Sequence, residues 1–320
     1  MMKQPTDRFI DFGTGMTKGK SVETLAKSRR GYNELIAHFG GKIGLLPSSV
    51  MLAARAKPKD IAQMDAEGTK RSYKATSSLE TNPELRKLSK KVQQMHSISG
   101  KGAARGALSI FWQDVGRSMV LFYTKPGDVV VDPFAGHNSR MDMCVKAGRH
   151  YMGNDLSHEF SKYNFKRADE LRKLYPDIKI KITEGDSRVL PFKDEVGDFT
   201  ITSPPYWDIE YYGDEKEQLG NGTYEEFLDG LQLVFNENFR CLKPGAISQW
   251  FVNDFRKGGK FYSYHSDCIR LAKRAGFIQR DMLIVDLGRG FRDVFINETI
   301  LTRILPKRHE YGIVFEKPLK

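Results

Sequence analysis

Ser203-Pro204-Pro205-Tyr206 follows directly on the apolar run Asp198-Phe199-Thr200-Ile201-Thr202. Two prolines after a strand fix φ and remove two backbone donors, so the chain turns stiffly and cannot continue a ladder. Such a corner holds out a carbonyl and the Ser203 hydroxyl as preorganised acceptors, with the Tyr206 ring beside them. That set suits an aromatic amine, giving it two acceptors for two N–H bonds and a π-face for its ring. Trp207, Asp208 and Tyr211 come close enough behind to wall the same pocket.

Three acidic positions lie upstream, each closing an apolar run. Asp132 ends Val129-Val130-Val131 and opens Pro133-Phe134-Ala135-Gly136, a strand-to-helix loop in which Gly136 leaves room for a ligand against the backbone. Asp155 stands 19 residues after Gly136 at the end of Tyr151-Met152-Gly153-Asn154. A carboxylate there can accept both hydroxyls of a ribose diol. Asp186, in Glu184-Gly185-Asp186-Ser187-Arg188, follows a third run. Each acid also has a plain structural use: an ordinary strand–turn–helix at Asp132, a helix cap at Asp155 or Ser157, a Gly-Asp turn at Asp186.

Positioning these groups requires parallel strands whose carboxyl ends lie side by side. Short β-branched runs alternate with helical segments from Pro126 onward, the pattern of a doubly wound α/β sheet. Seven strands are predicted: Val129–Asp132, Tyr151–Asp155, Ile178–Thr183, Asp198–Thr202, Ala246–Val252, Met282–Val285 and Tyr311–Phe315. Ligands bind such sheets beyond the carboxyl ends of the strands, at the switch in strand order. The polar signatures all fall there.

Charge divides the chain in two. Residues 1–105 hold 20 basic and 9 acidic side chains and residues 106–320 hold 31 of each, so the whole formal charge of +11 lies in the first third. A basic extension on a neutral domain suits a polyanion, and equally a solvated arm with no partner. Helices are expected there at about 21–38, at about 48–65 broken by Pro58, and after Asn82-Pro83 with Leu85, Leu88, Val92 and Met95 on one face. No apolar run reaches the length of a membrane span, and the N-terminus lacks a signal peptide's apolar segment. Cys144, Cys241 and Cys268, without any Cys-x-x-Cys pair, read as reduced buried thiols of a cytoplasmic protein with no metal site.

Asp132-Pro133-Phe134-Ala135-Gly136 followed by Ser203-Pro204-Pro205-Tyr206 resembles the S-adenosylmethionine-dependent DNA amino methyltransferases, over about residues 108–317. The resemblance implies a mostly parallel, seven-stranded Rossmann-like methyltransferase sheet (residues 106–320) with a helical basic N-terminal extension (residues 1–105). It implies S-adenosyl-L-methionine as cofactor and double-stranded DNA as partner, with transfer to the exocyclic amino group of a flipped-out base. Serine at the head of the tetrapeptide favours cytosine N4. Adenine N6, guanine N2 of RNA, and an inactive nucleic-acid-binding protein are the alternatives. Ser203, Pro204, Pro205 and Tyr206 are then catalytic, and Trp207, Asp208 and Tyr211 line the target-base pocket. Phe111, Asp132, Phe134, Ala135, Gly136, Asp155, Leu156, Asp186 and Ser187 hold the cofactor, Asp132 through its ammonium and Asp186 through its adenine amino group. The product ammonium is a strong acid, so no tuned general base is expected. Any restriction endonuclease partner would be a separate chain. The chain departs from the family where a small Gly-Thr segment usually follows the Gly loop: here it reads His137-Asn138-Ser139-Arg140.

Overall fold

The computed structural model describes residues 50–52, 111–136, 139–210, 212–213, 215–287, 301–305, 307 and 309–319. The helices expected at 21–38 and after Asn82-Pro83 lie outside the described residues. Of the helix expected at 48–65, only Val50–Leu52 is described, and it is a strand, β1. Three consecutive apolar residues suit a sheet edge, where they pair with the next strand, better than a helix face that would expose one of them.

Along the domain the order is α1 (Gln113–Tyr123), β2 (Val129–Asp132), α2 (Ser139–Lys146), β3 (His150–Asp155), α3 (His158–Leu174), β4 (Ile180–Glu184) and β5 (Gly197–Thr202). There follow α4 (Tyr224–Cys241), β6 (Leu242–Val252), β7 (Phe255–Lys257), β8 (Lys260–Tyr262), α5 (Tyr264–Ala275), β9 (Ile278–Asp286) and β10 (His309–Glu316). Eight strands make one sheet in the order β1-β9-β10-β6-β5-β2-β3-β4. Strands β2 to β6 pair in parallel, whereas β10 runs antiparallel to both β6 and β9. All seven predicted strands are present and β1 adds an eighth at the edge, pairing Val50 with Ile284. The sheet is the Rossmann-like methyltransferase architecture. Its order reverses between β2 and β5, so the switch point lies between Asp132 and Thr202.

Helices cover both faces. On one side Met119, Val120, Met141, Cys144, Ala168 and Leu171 pack on Val130, Tyr151, Phe199, Ile201 and Phe251. On the other, Phe227, Leu231 and Phe235 of α4 and Leu271 of α5 pack on Trp250, Val252, Ile313 and Phe315. Parallel strands buried on both faces must be apolar at nearly every position, which is why their runs stand out in the sequence. Helix α4 begins with a reciprocal cap between Thr223 and Glu226. All three cysteines are buried and free.

One buried polar chain ties α4 to the sheet. The Asn238 amide donates to Thr200 Oγ1 at 2.7 Å and accepts from Ser248 Oγ at 2.6 Å, while Trp250 Nε1 donates to Ser248 Oγ at 2.8 Å. An apolar residue at 238 leaves two buried hydroxyls short of a partner. Asn238→Leu is therefore expected to cost about 2 kcal/mol, read as a lower urea midpoint at unchanged slope. A shift equivalent to less than about 0.5 kcal/mol would contradict it.

Candidate active site

Asp132 is wholly buried at the tip of β2, and four donors converge on its carboxylate. Oδ1 accepts from Thr202 Oγ1 at 2.7 Å and Phe134 N at 3.2 Å; Oδ2 accepts from Arg140 Nε at 2.6 Å and the Tyr151 hydroxyl at 2.8 Å. The Thr202 bond spans the switch point and fastens the start of the proline corner to the Gly loop. Asp132 thus orders the loop, and a ligand ammonium would have to share a carboxylate already bound four times.

Arg140 is the residue that pattern reasoning missed. It is buried, pairs with Asp132, donates from Nη2 to the Phe134 carbonyl and lies 5.0 Å over the Phe111 ring. Burial works against its charge, but the Asp132 carboxylate outweighs it, and the guanidinium's affinity for its proton is raised. The departure at 137–140 therefore places a fixed cation inside the loop. His137 and Asn138 lie outside the described residues.

The Gly loop closes on β3. Gly136, at φ 50°, donates its N–H to Asp155 Oδ2 at 2.6 Å, and Ala135 N donates to the Asn154 carbonyl at 2.8 Å. A side chain at 136 would be strained in that left-handed conformation. Asp155 Oδ1 also accepts from Ser157 N at 2.9 Å. Burial pushes the Asp155 carboxyl up to about 6, against the pull of those two N–H groups. Asn154, another residue not foreseen, donates to the Gly185 carbonyl and to Ser187 Oγ, at 2.8 and 3.0 Å. Ser187 donates in turn to the Pro133 carbonyl. Ser187 thus ties two loops together. Asp186 is half-buried and gripped by Arg188, whose Nε donates at 2.8 Å and whose Nη2 lies 2.6 Å away. Leu156 and Phe134 are partly exposed at the same edge; Phe134 packs edge-on against Trp250 and Phe111 against Phe251.

At the proline corner Ser203 is partly exposed and Pro204 is buried. The Pro205 carbonyl accepts from the Tyr264 hydroxyl at 3.0 Å. Among the described residues none donates to the Pro204 carbonyl. Tyr206 is only 6% exposed, edge-on to Tyr264, and its hydroxyl is buried without a hydrogen bond of regular geometry. Ser203 and the Glu310 carboxyl both act on that hydroxyl, and burial above all raises its pKa well beyond the ordinary tyrosine value. Glu310 itself, 8% exposed at the start of β10, is pushed up to about 7. The sequence-based expectation held no such tuned acid near the corner. Trp207 takes φ 51°, a costly conformation for a bulky residue, and donates Nε1–H to the Gly222 carbonyl at 2.9 Å. Asp208 pairs with Lys257. Tyr211 lies outside the described residues. The corner, Gly loop and acid tips therefore meet at one edge of the sheet, with Asp132 bonded to both sides of the switch.

Residues 110–166 match the DNA methylase family of N6/N4 methyltransferases. The matched segment carries the Gly loop, Arg140 and Asp155 and ends before the proline corner. No curated protein matches the chain. Among solved structures, TrmN from Thermus thermophilus is 19% identical with a TM-score of 0.42, covering 68% of this chain and 52% of that one. The chain thus spans about half of TrmN's length. An S-adenosylmethionine-dependent methyltransferase from Methanosarcina mazei is 14% identical with a TM-score of 0.43, covering 63% of this chain and 98% of that one. A Thermus thermophilus protein named for a DNA modification methylase is 26% identical with a TM-score of 0.31, covering 42% of this chain and 52% of that one. The sheet order and the matched segment agree with a Rossmann-like methyltransferase fold for this domain. No helix among the described residues is long and apolar enough to cross a membrane.

Proposed function

We propose that the protein transfers a methyl group to the exocyclic amine of a base in DNA, with cytosine N4 favoured over adenine N6. One observation carries the reading: the 2.7 Å bond from Thr202 to Asp132 sets the Ser203 corner against the loop that cradles the cofactor. S-adenosyl-L-methionine supplies an electrophilic methyl on a sulfonium when bound. The donor set fits it. Asp155 offers carboxylate lone pairs toward a ribose diol beside a glycine at positive φ, Phe111 and Leu156 give apolar cover, and Arg140 suits the carboxylate of the amino-acid end.

The corner's own residues do the rest. The lone pair of a cytosine or adenine amino group is delocalised into the ring. Acceptors at Ser203 Oγ and the Pro204 carbonyl draw its two N–H bonds out of that plane and free the pair. Fixed acceptors in a partly dried site do this without reorganising when the charge develops. Tyr206, Trp207 and Asp208 frame the base, which must leave the duplex to reach them. The basic excess of residues 1–105 supplies sequence-independent attraction for DNA.

Incubation with tritiated cofactor and mixed DNA and RNA, then digestion to nucleosides and weighing, tests the assignment. N4-methylcytosine in DNA is the expected product. N6-methyladenine would replace the base assignment, label only on RNA guanine would replace the substrate, and no label would remove the activity. Saturating S-adenosylmethionine at about 100 times its Kd should add about 2.7 kcal/mol of stability, visible as a higher Tm.

A further inference from the structure

Strands β7 and β8 form a hairpin apart from the main sheet, with Arg256 opposite Phe261 and Lys257 opposite Lys260. Its tip, Gly258-Gly259, has both residues at positive φ, 56° and 78°, as a two-residue turn between twisted strands requires. Its root is aromatic. Phe255 and Tyr262 stack at 5.2 Å, and Tyr262 lies 5.4 Å from Trp207 and 4.7 Å from Tyr224. The hairpin therefore rises from the wall of the candidate base pocket.

Its charges are arranged for something outside the protein. Lys257 is committed inward, 4.1 Å over the Trp207 ring and paired with Asp208. Arg256 and Lys260 are exposed and have no carboxylate partner among the described residues, whereas Arg140, Arg167, Arg188 and Arg240 each hold one. Each lies on an aromatic face, Arg256 at 5.0 Å over Phe261 and Lys260 at 4.9 Å over Tyr262. Phe261 is itself 49% exposed, so the ring serves to stiffen the cation rather than to fill the core. Like charges set directly across a strand pair oppose the pairing, and Lys257 faces Lys260. A polyanion at the tip relieves that repulsion.

We propose that the β7–β8 hairpin is a phosphate clamp, with Arg256 and Lys260 each contacting the backbone of duplex DNA beside the nucleotide that enters the pocket. The proposal rests on the methyltransferase reading for its choice of DNA. The stem anchors on Trp207, which fixes the distance between the gripped backbone and the Ser203 corner. Both cations sit on rings and lose little freedom when they bind.

The test measures affinity of the full chain for a fluorescent mixed-sequence duplex DNA as salt is varied. Each phosphate contact contributes about 0.9 to the slope of log K against log salt. An R256A/K260A variant should show a slope shallower by about 2. Between 50 and 200 mM salt the wild type should lose roughly tenfold more affinity than the variant. K273A/R274A, on exposed positions at the opposite end of α5, should leave the slope unchanged. An unaltered slope for R256A/K260A, or an equal change in both double variants, overturns the clamp. So does a slope change seen with duplex RNA and absent with DNA. Cofactor-dependent Tm shifts and labelling of DNA, measured in parallel, separate the two readings. Labelling with an unchanged slope sinks the hairpin alone; no labelling with a shallower slope sinks the transfer reaction alone.

Discussion

Alanine at position 203 is expected to lower methyl transfer by about 10²- to 10³-fold while leaving cofactor binding intact. Loss of one preorganised polar contact at a reacting centre has costs of that size. The Pro204 carbonyl remains, so the amine keeps one acceptor and residual turnover persists. Among the described residues the hydrogen bonds of Asp155 run to Gly136 and Ser157 and not to Ser203, so the cofactor-induced rise in Tm should match the wild type. The loss should appear in kcat, because the missing contact strengthens as the nitrogen becomes tetrahedral. Tyr206→Phe separates ring from hydroxyl at the neighbouring position. The phenylalanine keeps the edge-on contact with Tyr264 and removes a buried hydroxyl that lacks a regular hydrogen bond, so stability should hold or rise slightly. A Ser203→Ala enzyme within threefold of wild-type kcat would show that the corner holds the base by shape alone.

Much of this frame was legible in the sequence because it is written in buried parallel strands. Val129-Val130-Val131 and Phe199-Thr200-Ile201 must be apolar on both faces, and the acids ending such runs had to fall at one sheet edge. What stayed hidden depends on contacts between distant residues. Arg140 was visible as a departure, but its pairing with Asp132 follows from how the loop folds back. The hairpin's Gly258-Gly259 was a usable turn signal, yet its strands are three residues each and charged, too short to show alternation. Val50–Leu52 was read as helix because its partner, β9, is more than two hundred residues away. Glu310 fell just outside the predicted strand Tyr311–Phe315. The strand begins instead at His309, which aligns Glu310 with Gly312 and Val314 on the face toward α1.

That burial makes Glu310 a pH-dependent element of the domain's candidate site. Removal from water is the main cause of its carboxyl standing at about 7; Lys307 pulls it down, Glu210 pushes it up, and the nearby polar hydrogens of Tyr206 and Trp112 favour the ionised form. A carboxyl raised above its ordinary 4.5 holds its proton longer in the folded chain than in the unfolded one. Between pH 4.5 and 7 the native state therefore binds more protons, and stability falls as pH rises through that window. Above pH 7 both states are ionised and the penalty is complete, on the order of 3 kcal/mol at about 1.4 kcal/mol per unit. Glu310→Gln cannot ionise. It should match the wild type near pH 4.5 and be more stable at about pH 8, by urea unfolding at both. A difference that is the same at the two pH values would mean the carboxyl does not titrate in that range. The charge is also felt at the corner, because both Glu310 and Ser203 act on the Tyr206 hydroxyl. Wild-type kcat should accordingly change across about pH 7 and the Gln variant should run flat there, which ties the acid to the reacting edge and not to packing alone.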